Sequence, residues 1–126
     1  MVLLKYLKTN ILIFFLFISC SIPERNCQTF KTGDYEFKTM IDGKEYVSNF
    51  KRSDSIEIEF FQGTTDTSSV RWVSDCEFIL KNINSKKSKT SISMKILSTK
   101  ENSYVFEYSI VGDNSNIRRG EAFKLN

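Results

Sequence analysis

The sequence predicts an all-β fold: one small antiparallel meander of about eight short strands that closes into a barrel, with a two-sheet sandwich as the alternative. Three observations predict it. Apolar and polar residues alternate with period two from Thr32 almost to the end of the chain. Turn-forming residues interrupt that alternation every eight to twelve positions. Beyond the N-terminal leader, no stretch shows the 3.6-residue apolar period of a helix.

The first element is the leader. Lys5 and Lys8 precede an apolar run, Ile11 to Ile18, which is within signal-peptide length and too short to span a bilayer. The run ends in Phe17-Ile18-Ser19-Cys20, which resembles the lipobox of bacterial lipoproteins, with Phe17 where leucine is usual. That resemblance implies cleavage before Cys20 and lipid attachment to it. Residues 1–19 are then a signal peptide, 20–28 a lipidated cysteine and tether containing the lone proline, Pro23, and 29–126 the domain. Glu24 is the only acid close behind Cys20, so the expected location is an outer membrane, facing the periplasm.

The strands follow in order. Gly33 to Lys38 places Tyr35 and Phe37 on one face, and Asp42-Gly43 suits a type I′ hairpin turn because both positions tolerate positive φ. Glu45 to Lys51 returns with Tyr46 and Phe50, and Arg52 to Ser55 forms a second turn. Ile56 to Phe60 alternates most cleanly; Ile56, Ile58 and Phe60 read as its inner face, Glu57 and Glu59 as its outer face. Gln62 to Thr67 reads as a polar loop. Val70 to Val73 and Cys76 to Leu80 flank a tight connector, Ser74-Asp75, and Asn82 to Thr90 is the longest loop. Ser91 to Leu97, Tyr104 to Ile110 and Ile117 to Leu125 complete the set, the last two separated by a turn at Gly112 to Asn116. Charges assigned to the outer faces (Glu57, Glu59, Lys95, Glu107) argue against a transmembrane barrel, whose outer band must be apolar.

Charge and cysteine content narrow the function classes. The chain has 18 basic and 15 acidic side chains, and the leader removes two of the bases, so the mature surface is nearly neutral. A nucleic-acid partner is not expected, and Lys86-Lys87-Ser88-Lys89 reads as a solvated loop. With Cys20 lipidated, Cys27 and Cys76 are left to pair in an oxidising envelope. Such a bridge contributes about 4 kcal/mol on the chain-entropy model. No cofactor or metal is expected. The chain has no histidine, which removes Ser-His-Asp and Cys-His catalysis and the common zinc sites. Asp113 to Asn116 lacks the spaced carboxylates of a calcium loop and reads as a turn. Glu57 and Glu59 stand roughly 7 Å apart on one strand face; with Asp75, they are the carboxylates an enzyme would have to bring together in a cleft.

Aromatic residues make up 13% of the chain. Two arrangements are open to them: a solid core, or walls around a pocket in which Tyr35, Trp72, Tyr104, Phe106 and Tyr108 contact a small apolar molecule.

Two further resemblances bear on this. Segments 26–33, 52–57 and 70–77, with the ending Arg119-Gly120 and Lys124-Leu125-Asn126, resemble a family of small flavobacterial lipoproteins over nearly the whole mature chain. That family implies no activity. Some of its members carry a DNA topoisomerase IV label, which nothing here supports, there being no Gly-rich ATP motif. Gly33-Asp34-Tyr35 resembles the Gly-x-Trp that opens lipocalin-like barrels, with Tyr35 for Trp; Arg118 or Arg119 stands where a lipocalin arginine packs on that aromatic.

Three functions compete on this basis. The first is a non-enzymatic, lipid-anchored envelope domain that binds a protein or envelope component. The second is a lipocalin-like carrier of a small hydrophobic ligand. The third is a carboxylate-based enzyme.

Overall fold

A computed structural model describes residues 25–84, 86 and 90–125. The signal peptide, Cys20 and most of the Lys86–Lys89 loop lie outside the described residues. Eight strands follow one another: β1 Gly33–Ile41, β2 Lys44–Arg52, β3 Ile56–Phe61, β4 Thr64–Trp72, β5 Glu77–Asn82, β6 Ser91–Thr99, β7 Ser103–Ile110 and β8 Arg118–Lys124. Each pairs antiparallel with the next, and β8 pairs back onto β1, so the sheet closes into a barrel without free edges. The all-β class holds, and the sandwich alternative does not. This form is consistent with a lipocalin-like barrel.

The two ends of the barrel differ. At one end, the four residues Cys27–Phe30 form a 3-10 turn that plugs the opening, with Cys27 and Phe30 buried. Residues 25–28, read from the sequence as tether, therefore belong to the folded body. Cys76, on the β4–β5 connection at this same end, is bonded to Cys27, as predicted. Hydrogen bonds from Arg25 Nη1 to the Ile96 carbonyl (3.0 Å) and from the Asn26 amide to Thr99 Oγ1 (2.8 Å) tie the plug to β6. Ile96 borders a bulge, where the β6–β7 register shifts between Ile96 and Ser98.

The opposite end is the mouth, ringed by the hairpins β1–β2, β3–β4, β5–β6 and β7–β8. Asp42 (φ 51) and Gly43 (φ 77) make the predicted two-residue turn between Ile41 and Lys44. Gln62 (φ 49) and Gly63 (φ 75) repeat it between Phe61 and Thr64. The polar loop expected at residues 62–67 is thus only two residues long; Thr64 onward is strand, because a tight turn keeps the β3–β4 ladder paired to its tip.

A second correction concerns phase. β3 turns Glu57 and Glu59 inward and Ile56, Ile58 and Phe60 outward, the reverse of the sequence expectation. Glu57 is only 7% exposed, whereas Ile56 is 41% and Phe60 48% exposed. The register shows why: Arg52 on β2 lies opposite Glu57, and Phe50 lies opposite Glu59. Arg52 is 2% exposed, and a buried cation requires a counter-charge on the same face. Two of the four charges assigned to the outer wall are therefore interior. The outer wall is charged nonetheless, with in-register ion pairs Asp34–Lys51 (3.7 Å), Glu77–Lys95 (3.8 Å) and Glu107–Arg119 (4.0 Å). Each contributes at most about 1 kcal/mol at such exposure.

Small residues on β8 make room for the aromatics. Ala122 is fully buried opposite Phe37 and Tyr104. A Cβ on Gly120 would lie 2.2 Å from the Phe37 ring and 3.1 Å from that of Phe106, so only glycine lets both rings cross β8.

Candidate functional site

The interior divides into a filled layer at the plugged end and an open cavity toward the mouth. The filled layer is built around Arg52. Its Nε donates to the Lys31 carbonyl (3.2 Å), Nη1 to Glu57 Oε1 (3.0 Å), and Nη2 to the Phe30 carbonyl (2.6 Å) and the Tyr104 hydroxyl (3.0 Å). Those two carbonyls come from the end of the 3-10 turn, where backbone acceptors lack intrahelical donors. Lys124 Nζ takes the Thr29 carbonyl in the same way (2.8 Å). Around the guanidinium stand Phe78 (4.6 Å to the ring centre), Tyr35 (5.1 Å), Phe50 (5.4 Å), Tyr104 (5.7 Å) and Trp72 (5.8 Å). Planar, weakly hydrated and always charged, arginine suits a site of stacked rings and forked acceptors.

Burial raises the Glu57 carboxyl, and the adjoining Arg52 charge opposes that rise. Burial likewise pushes the Tyr104 phenol up to about 12, so it is neutral and accepts from Arg52. The Tyr35 hydroxyl donates to the Thr32 carbonyl (2.7 Å), completing the layer.

Three of the residues expected at a pocket, Tyr35, Trp72 and Tyr104, therefore belong to this packed layer, and none of them lines the cavity above it. The arginine expected on Tyr35 is also different. Arg52 fills that role from β2, while Arg118 and Arg119 are exposed near the mouth.

Above this layer lies a cavity of about 390 Å³. Phe106 and Tyr108 line it, joined by the apolar Phe37, Phe50, Leu80, Ile92 and Met94. The polar lining, interleaved with these, is Glu57, Glu59, Asp66, Ser68, Asn82 and Thr90; Phe50 lies directly opposite Glu59 in the β2–β3 ladder, and Leu80 and Asn82 share β5. β3 and β4 supply the carboxylates: Glu59 and Asp66 are directly opposite in the ladder, one step nearer the mouth than Glu57 and Ser68. Burial, and next the negative charge of Asp66, raise the Glu59 carboxyl above its ordinary range.

The choice between solid core and pocket thus resolves into both, stacked along the barrel axis. Asp75 is far from the cavity, exposed at the plugged end, and accepts a long hydrogen bond from Gln28 Nε2 (3.4 Å). Asp66 and Arg52 were missed from sequence because both lie in stretches read as turn or loop. A usable signal existed for Asp66: Gln62-Gly63 is a hairpin dipeptide, which makes Thr64 to Trp72 one continuous strand.

Among the described residues, no group of three or more acidic or cysteine side chains is placed to hold a metal ion. The acidic lining can hold positive charge and accept hydrogen bonds. Ser68 and Thr90 have no imidazole to activate them, since the chain contains no histidine.

The raised Glu59 carboxyl makes a signed prediction. Its folded-state pKa lies above the unfolded value, so its contribution favours folding below the unfolded pKa and is lost as pH rises through the folded one. Glu59→Gln should therefore raise the melting temperature at pH 7. That gain should shrink as the pH falls and the wild-type side chain takes up its proton. A melting-temperature difference that does not change with pH would show that Glu59 is not disfavoured in the cavity.

An eight-stranded antiparallel barrel, plugged at one end and hollow at the other, is the class of protein that fold and cavity define. No family model, curated protein or solved structure matches the chain.

Proposed function

We propose that this protein is a non-enzymatic carrier that holds a small, partly apolar molecule inside its barrel, tethered to a membrane through lipid on Cys20. The observation that carries the reading is the cavity of about 390 Å³, a size typical of small-ligand sites, with an aromatic and aliphatic lining interrupted by a few polar groups. A domain serving only as a structural spacer gains nothing by leaving such a volume unfilled, because each missing contact costs stability.

The lipobox-like N-terminus and the resemblance to flavobacterial lipoproteins support the anchored location. The orientation fits as well. Arg25 lies at the plugged end. Four residues lie between it and Cys20, and the connection spans at most about 18 Å of extended chain. A lipid there would hold the plug against the membrane and turn the mouth away from it. The competing reading, docking of an envelope protein, draws on the outward Ile56 and Phe60 of β3.

The test is a calorimetric titration of the full chain in phosphatidylcholine nanodiscs, with empty nanodiscs as blank. The probes share one aryl body and differ only in head group: 3-phenylpropylamine, 3-phenylpropan-1-ol and 3-phenylpropanoate. Saturable one-to-one binding of at least one probe is expected, and Met94→Trp should abolish it by filling the cavity. Absence of binding by all three, or binding indifferent to Met94→Trp, would remove the carrier reading and leave protein docking in its place.

A further inference from the structure

We infer that the rim of the mouth docks on the surface of an anionic phospholipid bilayer, with aliphatic side chains of three hairpin tips among the acyl chains and Arg118 and Arg119 at the phosphates. The inference goes beyond the carrier reading and stands without it.

Three observations carry it. First, the tips expose apolar side chains. Met40 and Ile41 stand at the β1–β2 turn, Ile83 just beyond β5, and Ile110, Val111 and Ile117 around the β7–β8 connection, all between 39% and 64% exposed. A lone exposed aliphatic calls for no explanation, but a ring of them at one end of a barrel marks a binding surface. Second, basic groups share that end. Exposed Lys44, Lys81, Lys86, Arg118 and Arg119 stand there against exposed Asp42, Glu45 and Asp113, while Glu59 and Asp66 lie inside the barrel, below the rim. The β1–β8 ladder stops at Lys38–Glu121. Mouthward of it the two strands part around a groove of about 360 Å³, lined by Thr39 to Asp42 and by Arg118 and Arg119. Arg119 reaches Glu107 only at 4.0 Å, with 71% of its side chain exposed, and Arg118 has no ion pair among the described residues. Guanidinium forks match the oxygens of a phosphate, and the groove gives a head group room beside them.

Third, the centre of the ring is a hole. Protein interfaces concentrate their binding energy in a packed, dry centre. Here the centre opens onto the cavity, with Leu80, Ile92 and Met94 in its lining. A fluid acyl layer conforms to separate tips around an opening, whereas a rigid partner would touch only their ends. Tyr46 fits the same scheme. It packs against Phe61 (6.2 Å between ring centres), and Lys44 Nζ stands 5.4 Å from its ring centre. Amphipathic tyrosines and snorkelling lysines are the side chains that settle at the head-group level of a bilayer. On the anchored reading the tether leaves from the plugged end, so the bilayer met by the mouth is not the one that holds the lipid.

The test is sedimentation with sucrose-loaded vesicles, using the full chain in phosphatidylcholine nanodiscs. Vesicles of phosphatidylglycerol and phosphatidylethanolamine should carry the chain down, vesicles of phosphatidylcholine should not, and rising salt should weaken the binding. Arg118→Gln and Arg119→Gln should each reduce the partition about fivefold. Ile41→Ser combined with Ile117→Ser should reduce it as well, through lost apolar burial. All four positions are exposed, so melting temperatures should stay at the wild-type value, which separates a lost contact from a lost fold. Met94→Trp, which fills the cavity, should sediment as the wild type does, so the carrier reading can fail without this one. Binding to neither vesicle, or equally to both, overturns the inference, as does binding indifferent to all four substitutions. Association of loaded nanodiscs with one another in the absence of vesicles, abolished by Ile41→Ser with Ile117→Ser, would assign the rim to a second copy of the chain and likewise overturn it.

Discussion

Replacing Arg52 with methionine is expected to lower the unfolding free energy by about 4 kcal/mol, within the roughly 3–5 kcal/mol seen when a buried ion pair loses one partner. The methylenes and sulfur can fill much of the space among the rings, so packing is not the main loss. The loss is chemical. Glu57, 7% exposed, is left charged without a cation, and the Phe30 and Lys31 carbonyls lose the donors that hold the plug in place. Small domains have only about 5–15 kcal/mol to lose, so the variant should be visibly destabilised in urea. Arg52→Lys should lose less, since an ammonium keeps the charge but cannot span four acceptors. The pH dependence identifies the cause. With Arg52 gone, nothing opposes the burial that raises Glu57, so the deficit should shrink as pH falls and Glu57 takes up its proton. Adding Glu57→Leu to Arg52→Met should recover part of the loss at pH 7, because the orphan charge is then removed. A urea midpoint for Arg52→Met within experimental error of the wild type would mean that Arg52 is not at the centre of the closed end.

Removing the Cys27–Cys76 bridge is the second large effect. The cysteines are 49 positions apart, and the entropy of closing such a loop in the unfolded chain corresponds to about 4 kcal/mol. The double variant Cys27→Ser, Cys76→Ser should lose about that much in denaturant, and reduction of the wild type should reproduce it. The loss should also be local. Cys27 opens the 3-10 turn whose carbonyls hold Arg52 and Lys124, so trypsin should reach Lys31 sooner in the double variant than the cavity mouth changes its probe affinity. A loss under about 1 kcal/mol would assign the plug to its hydrogen bonds, those of Arg25, Asn26, Arg52 and Lys124, with the crosslink incidental to folding.

The two effects also explain how a barrel of this size can be hollow. A core cavity costs contacts, and a small domain has few to spare. Here the plugged end concentrates a crosslink, a buried cation, five surrounding rings and three capped carbonyls. The mouth half is correspondingly free to hold acids opposite each other and leave space between walls.

Much of this was legible in the residues, for definable reasons. Alternation and turn chemistry are local, so eight strands and the Asp42-Gly43 hairpin could be read directly. The Cys27–Cys76 pair followed from counting. Phe106 and Tyr108 were placed in the pocket by their strand face. The errors cluster at β3 and its neighbours. Hydrophobic patterning there favoured Ile56, Ile58 and Phe60 as the inner face, and the same rule, applied to whole strands, set Arg52 aside as a turn residue.

What the sequence determined by itself is therefore the list of strands, their order, the tight turns and the crosslink, all of which depend on neighbours a few residues apart or on simple parity. Only the tertiary structure decided which face of β3 looks inward. A strand offers two faces that differ by a one-residue slip, and patterning selects between them only when one is plainly the cheaper to bury. Arg52 overrides that preference from another strand. Once its guanidinium is enclosed by the plug, its counter-charge must come from the residue opposite, Glu57. Period two then carries Glu59 into the cavity behind it, where it meets Asp66.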